Sequence, residues 1–213
     1  MKSSFKFYLF IALVISASTI FAQTTFRIEA GSVNPRRFGT SESATNFNGI
    51  RLGATADFNL KNNFSLLTGA LYSVVYGSKV QKYSYSDSVR YSTFGHYIDV
   101  PLRLTYTYPI ANYLRIFGFA GPNINIGLAQ PQKIDAYLTK ALKTTTGIES
   151  GNYDLYKKAV INRMNFQLGA GGGIQYKNYQ LKAGYDFGIH SINAVDTGTL
   201  FQSGWYVSFS YKF

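Results

Sequence analysis

In segment after segment of this 213-residue chain, apolar and polar side chains alternate, and the apolar set never includes Lys, Arg, Asp or Glu. Asn48 to Leu60 shows the pattern most plainly. Ile50, Leu52, Ala54, Ala56, Phe58 and Leu60 fall on one face, and Arg51, Gly53, Thr55, Asp57 and Asn59 on the other. A period of two belongs to a β-strand, whose successive side chains point to opposite faces. Met164 to Tyr176, Tyr179 to Ile189 and the last ten residues, with Trp205, Val207, Phe209, Tyr211 and Phe213 on the apolar side, repeat it.

Four weaker segments, Thr25 to Gly31, Phe64 to Gly77, His96 to Tyr108 and Tyr113 to Ile126, bring the count to eight. Their connections alternate in length. Lys61-Asn62-Asn63, Pro109 to Asn112 and Lys177-Asn178 read as tight turns, whereas 32–47, 78–95, 127–161 and 190–203 read as long polar loops. The expected fold is all-β, an eight-stranded antiparallel up-and-down barrel crossing a membrane, with short turns on the periplasmic side and long loops outside. An even number of strands puts both termini on the short-turn side.

A soluble up-and-down barrel that carries a ligand would also alternate, with its apolar face turned inward. Two features favour the inverted arrangement. A Lys or Arg facing mid-membrane costs about 2–4 kcal/mol, which explains a face without charge; a water-facing exterior has no such constraint. Glycine also gathers on the polar face, at 53, 69, 77, 169, 171, 173, 184 and 188. An eight-stranded barrel is just wide enough for its own side chains, so glycine there makes room for larger neighbours. Charged residues are only 15% of the chain and aromatic ones 17%, against roughly 25% charge in a soluble domain. Phe58, Phe64, Tyr106, Tyr108, Tyr113, Tyr176, Tyr179, Tyr211 and Phe213 collect near the short turns, as in an interfacial aromatic girdle.

Residues 1–22 read as an export signal: Lys2 and Lys6, an apolar stretch of 14 residues from Phe7 to Ile20, and Ala22 for cleavage. The barrel domain is then 23–213. Removing two of 21 basic residues against 10 acidic ones leaves a charge of +9. The chain has no cysteine, which excludes disulfides, thiolate metal sites and a lipid-modified N-terminal Cys.

The segment Tyr97-Ile98-Asp99-Val100-Pro101-Leu102-Arg103-Leu104 resembles a strand of the Bacteroidetes outer-membrane barrels, the PorT-like β-barrels. Gly118 to Pro122 resembles the fifth strand of that family, Ile20 to Gln23 resembles signal-peptide ends of that phylum, and Tyr206 to Phe213 resembles the aromatic-ended strand recognised by the barrel-insertion machinery. The resemblance spans about residues 24–213. It implies a shared fold rather than one activity, with a role in secretion for one member type. Tyr211 and Phe213 are its implied insertion signal. Pro101 lacks an N–H and is expected at a strand irregularity.

The inward face carries Arg27, Glu29, Asp57, Arg103, Arg115, Lys182, Asp186 and Lys212. Buried charges must be paired, so Glu29, Asp57 and Asp186 are expected to meet Arg103, Arg115 and Lys182. This network reads as a plug, since eight strands leave no channel. The loops carry Arg36, Arg37, Lys79, Lys82, Lys157 and Lys158, which either contact lipopolysaccharide phosphates or form a solvated surface. Ile134, Leu138 and Leu142 recur every four residues, which suggests a short amphipathic helix that caps the barrel or docks a partner. His190-Ser191 invites comparison with lipid-modifying barrels, but neighbouring strand residues face opposite ways and make a poor dyad. Gly169 to Gly173 opens no helix, so it binds no nucleotide. No cofactor, metal or nucleic-acid partner is expected.

These readings describe a non-enzymatic integral outer-membrane protein, structural, adhesive or partner-binding through its outer loops. Lipid, lipopolysaccharide, the insertion machinery and envelope proteins are its expected partners. The alternative is an accessory component of a secretion or envelope-assembly complex; a lipid-modifying enzyme is third.

Overall fold

The computed structural model describes residues 24–40, 44–195 and 198–213. The signal segment expected over 1–22 lies outside the described residues. In chain order the elements are β1 (Thr24–Gly39), β2 (Thr45–Asn46), β3 (Asn48–Asn59), β4 (Phe64–Lys82), β5 (Ser88–Ala111), β6 (Leu114–Ala129), β7 (Pro131–Tyr137), α1 (Lys140–Thr146), β8 (Gly151–Asp154), β9 (Met164–Tyr176), β10 (Tyr179–Gly188) and β11 (Leu200–Lys212). Eight of them close a ring in the order β1, β3, β4, β5, β6, β9, β10, β11 and back to β1, every pair antiparallel. The seam joins the first strand to the last, from Arg27 opposite Lys212 to Gly39 opposite Leu200. Closure satisfies backbone donors and acceptors that hydrocarbon cannot.

The alternating faces point as the charge pattern requires. Ile50 and Leu52 are 70% and 64% exposed on the outside, while Arg51 between them is 5% exposed inside. Tyr106, Tyr108, Tyr113, Tyr176, Tyr179 and Phe213 are exposed near the short turns, and Tyr72, Tyr76, Phe94, Phe166, Phe187 and Trp205 toward the other end. Two aromatic belts thus bound an apolar band. Cross-strand ring pairs stitch them, with centroids 4.9 Å apart for both Phe64–Tyr106 and Tyr76–Phe94.

Inside, glycine gives way to rings. A Cβ on Gly173 would lie 2.7 Å from Phe117 Cζ and 2.8 Å from Lys182 Cα, whereas one on the outward Gly118 would meet nothing nearer than 3.8 Å. Gly173→Val is expected to cost about 1–3 kcal/mol by overpacking, and Gly118→Ala much less. Urea unfolding of the barrel in lipid vesicles checks the difference, and equal midpoints would contradict the crowded inner wall.

The strands run further than their apolar alternation suggests. β4 reaches Lys82 and β5 begins at Ser88, so most of 78–95, expected as a loop, is a paired hairpin. Where β5 outruns β6, its freed edge pairs with β7, and β7 with β8. The helix expected from Ile134, Leu138 and Leu142 is therefore not formed as such. Ile134 lies in β7, and α1 spans only 140–146 with nothing buried. The outer end is capped instead by Tyr156, Ile161 and Ile192, packed on Phe47, Val75, Tyr97 and Leu200.

Two prolines sit in β5. At Pro101 the ladder with β4 is interrupted between Asp99 and Leu102 and resumes in the same register. Pro109 belongs to the strand rather than to the tight turn expected at 109–112. Beyond Tyr106 the β4 register has ended, leaving β5 paired on one side, where a missing N–H is tolerated. The β3–β4 turn uses left-handed Asn62 and Asn63, with φ of 58° and 65°, a conformation asparagine accepts more readily than most residues.

Candidate functional site

The barrel interior is ionic and paired. Glu29, on β1 at the seam, accepts from Arg51 Nη2 at 2.7 Å and from Lys182 Nζ at 2.6 Å. Those partners come from β3 and β10, the strands on either side of the seam pair. Arg51 also donates from Nε to Ser208 Oγ at 3.0 Å, and its guanidinium lies 3.8 Å from the Tyr206 ring centroid. Arg103 pairs with Asp186 and donates to the Gly121 carbonyl. Arg27 pairs with Asp57. Asp99 accepts from Ser73 Oγ at 3.1 Å and from the amides of Asn123 at 3.1 Å and Asn125 at 2.7 Å.

Of the six residues expected to form one network, the structure joins Glu29 to Lys182 and Asp186 to Arg103. Asp57 takes Arg27 instead. Arg115 is exposed at the short-turn mouth and forms no ion pair among the described residues. It sits two residues from the turn, where water already solvates it. Sequence reasoning left out Arg51 and Asp99. Both stand on polar faces of their strands, but alternation gives the face and not the partner.

Two vestibules flank this packed middle. One, of about 340 Å³, opens on the short-turn side, lined by Arg27, Asp57, Arg115, Gln175 and Lys212 among others. The other, of about 290 Å³, lies at the outer end. Between them the voids are only about 20 and 30 Å³, room for single waters. Stacked Phe117, Phe119 and Tyr206 fill the rest.

The basic loop residues divide. Arg36 is exposed on the outside, as are Lys82, Lys157 and Lys158, while Lys79 is half-buried at the outer vestibule. Arg37 is 4% exposed and turned into the lumen, which corrects its placement on the outer loop surface. Alternation continues along β1 to Gly39, so only one of two consecutive arginines faces out. Tyr211 and Phe213 meet edge-on at 5.5 Å, and the Phe213 N–H donates to the Phe26 carbonyl at 3.2 Å.

The histidines are apart from this site. His96 Nδ1 lies 2.7 Å from the Tyr72 hydroxyl on the outer face, and His190 packs edge-on against Phe166. Ser191 Oγ accepts from the N–H groups of Asn193 at 3.3 Å and Leu200 at 3.0 Å. Its hydroxyl holds a loop. Among the described residues no group of three or more acidic, His or Cys side chains is placed to hold a metal ion. At the hairpin tip, hydrogen bonds from Ser84 Oγ at 2.7 Å and the Thr139 N–H at 2.5 Å hold the Asp87 carboxyl below its ordinary pKa. That tie is present at neutral pH and weakens as acid protonates it.

A closed ring of eight antiparallel strands, uncharged and apolar outside between its aromatic belts and filled with ion pairs, is an outer-membrane β-barrel. The chain belongs to the outer membrane protein beta-barrel domain family, whose model matches residues 10–194. No curated protein matches the sequence. Among solved structures it is similar to Ail, the attachment invasion locus protein of Yersinia pestis, at 15% identity over 90% of this chain and 99% of that one, with a TM-score of 0.40. It is also similar to Neisserial surface protein A, at 14% identity over 88% and 97% with a TM-score of 0.37, and to OprG from Pseudomonas aeruginosa, at 13% over 89% and 95% with a TM-score of 0.38.

Proposed function

We propose that this protein is a non-enzymatic outer-membrane barrel that presents a binding platform outside the cell, exported by residues 1–22. The observation that carries the reading is the built outer end. The β4–β5 hairpin, β7 and β8 continue the sheet beyond the ring, and the 155–161 segment packs down as a cap. The filled middle speaks against conduction, and the engaged Ser191 hydroxyl against hydrolysis. Arg36, Lys82, Lys157 and Lys158 stand where lipopolysaccharide phosphates would meet them, at about 1 kcal/mol each. Tyr211 and Phe213 would serve the insertion machinery.

The resemblance of Tyr97 to Leu104 to the PorT-like strand supports placing the protein among those Bacteroidetes barrels. With it comes a second reading, an accessory component of a secretion or envelope-assembly complex. Tyr97, Asp99, Pro101 and Arg103 of that segment are all buried in the lumen, so the motif reads as scaffolding for either role.

Crosslinking and pulldown from native outer membrane tests the platform. Replacing 131–154 with a short turn should leave the barrel folded and remove the captured partners. An unchanged partner set, or stepwise conductance of the intact protein in planar bilayers, would sink the reading.

A further inference from the structure

Five cationic side chains are buried among the described residues: Arg27, Arg37, Arg51, Arg103 and Lys182. Four of them touch a carboxylate. Arg37 does not. Its Nε donates to Gln202 Oε1 at 2.8 Å, and its Nη2 to the Tyr97 hydroxyl at 3.0 Å and to Gln130 Oε1 at 2.7 Å. The Phe47 ring lies 5.0 Å from its Cζ. These partners orient the guanidinium and satisfy it in part, but all are neutral. A buried cation without an anion is costly, because Coulomb attraction is what offsets its lost hydration.

Arg37 forms part of the wall of the outer vestibule, and Nη1 is the nitrogen that none of those bonds uses. The cavity, about 290 Å³, contains a second basic residue, Lys79, and no carboxylate among its lining residues that the structure describes. Thr93 and Gln132 supply a hydroxyl and an amide, linked at 2.9 Å. Phe47 and Leu155 add apolar wall. Such a mixture suits a molecule with both C–H faces and hydroxyls, and the volume lies at the small end for ligand sites, which start at about 300 Å³.

We propose that this vestibule is a binding site for one acidic sugar residue, whose phosphate, sulfate or carboxylate group is the missing counter-ion of Arg37. The proposal deepens the platform reading by naming a ligand class for its outer end. The acidic group faces the fixed fork of Arg37, which suits two-oxygen anions. The sugar's apolar face lies on Phe47 and Leu155. The same chemistry reaches the site from a lipopolysaccharide core sugar of the cell itself or from a soluble acidic glycan.

Titration calorimetry on the full mature barrel in nanodiscs tests this, with glucuronic acid, N-acetylglucosamine 6-phosphate and neutral N-acetylglucosamine as probes. The acidic sugars should bind saturably and the neutral one at least about tenfold more weakly. Arg37→Gln should weaken acidic-sugar binding by about tenfold or more, and Arg90→Gln, exposed on the outward face of β5, should leave it unchanged. Gln81→Glu provides a second route that leaves Arg37 in place: it sets a carboxylate in the cavity wall and should abolish binding in a barrel that still shows folded electrophoretic mobility. Nanodiscs with and without lipopolysaccharide separate the sources. Competition by the added lipid assigns the site to the cell's own core sugars, and undiminished binding assigns it to a soluble glycan. No saturable binding of either acidic probe, equal affinity for the neutral sugar, or full affinity in Gln81→Glu overturns the proposal. The platform reading fails separately, through the partner set of the 131–154 replacement.

Discussion

In a Glu29→Gln variant the folded barrel should lose about 3–5 kcal/mol, the usual cost of removing one partner from a buried ion pair. The carboxylate is 1% exposed and serves two cations at once, Arg51 and Lys182. An amide offers one neutral acceptor and one donor, so both cations lose their counter-charge without leaving the lumen. Adding Lys182→Met should restore part of the loss, because one of the stranded charges then goes. A double-mutant cycle read by urea midpoints in lipid vesicles measures that coupling. Additive losses, with no recovery in the double variant, would contradict the shared carboxylate.

The second large effect is expected on the opposite face. Ala54 stands midway along β3 between Phe58, near one aromatic belt, and Asn48, whose register partner is Tyr76 in the other. It is exposed to the exterior. Ala54→Arg should cost about 2–4 kcal/mol, and the same substitution at Leu60, beyond the belt, only about 0–1 kcal/mol. Arg51 sits natively on the same strand, turned inward, at no such cost because Glu29 meets it. Equal costs at 54 and 60 would mean that the exterior faces water.

The ring could be read from the sequence because lipid is an exacting solvent. It forbids charge on one face, so the eight crossings show as alternation, and the short-turn belt and the glycine-lined wall follow; the outer belt, from Tyr72 and Tyr76 to Trp205, emerges only from the structure. The same logic fails beyond the membrane. Around Lys79 to Lys82 and Ser88 to Phe94 the hairpin lies beyond the acyl chains, so its outward face admits charge, at Lys82 and Arg90, and paired strand looks like loop. The β7 pairing with β5 is invisible for a related reason: it depends on β5 outrunning β6, a matter of relative length rather than of local pattern.

The interior shows the complementary gap. Alternation placed Glu29, Asp57, Arg103, Lys182 and Asp186 on the lumen side, but which cation meets which carboxylate is set by register and stagger around the ring. Asp57 takes Arg27 from its own hairpin neighbour rather than a distant partner, and Arg115 stops short of the dry region. Arg37 escapes the sequence pattern because apolar alternation fades at Gly31, whereas β1 continues eight residues further, to Gly39. The run Arg36-Arg37 therefore reads as a basic patch, where the strand turns one arginine out and the other in.

The position of Glu29 bears on how such a chain enters a bilayer. Its carboxylate belongs to the first strand made, and Lys182 to the last hairpin. Until β10 and β11 arrive, Glu29 has Arg51 alone, and Lys182 enters with its acid held on the far side of the seam, so a half-assembled sheet would present an unpaired lysine to acyl chains along its open side. Electrostatics therefore penalises partial insertion and favours the finished circle, in which the first and last strands of the ring meet.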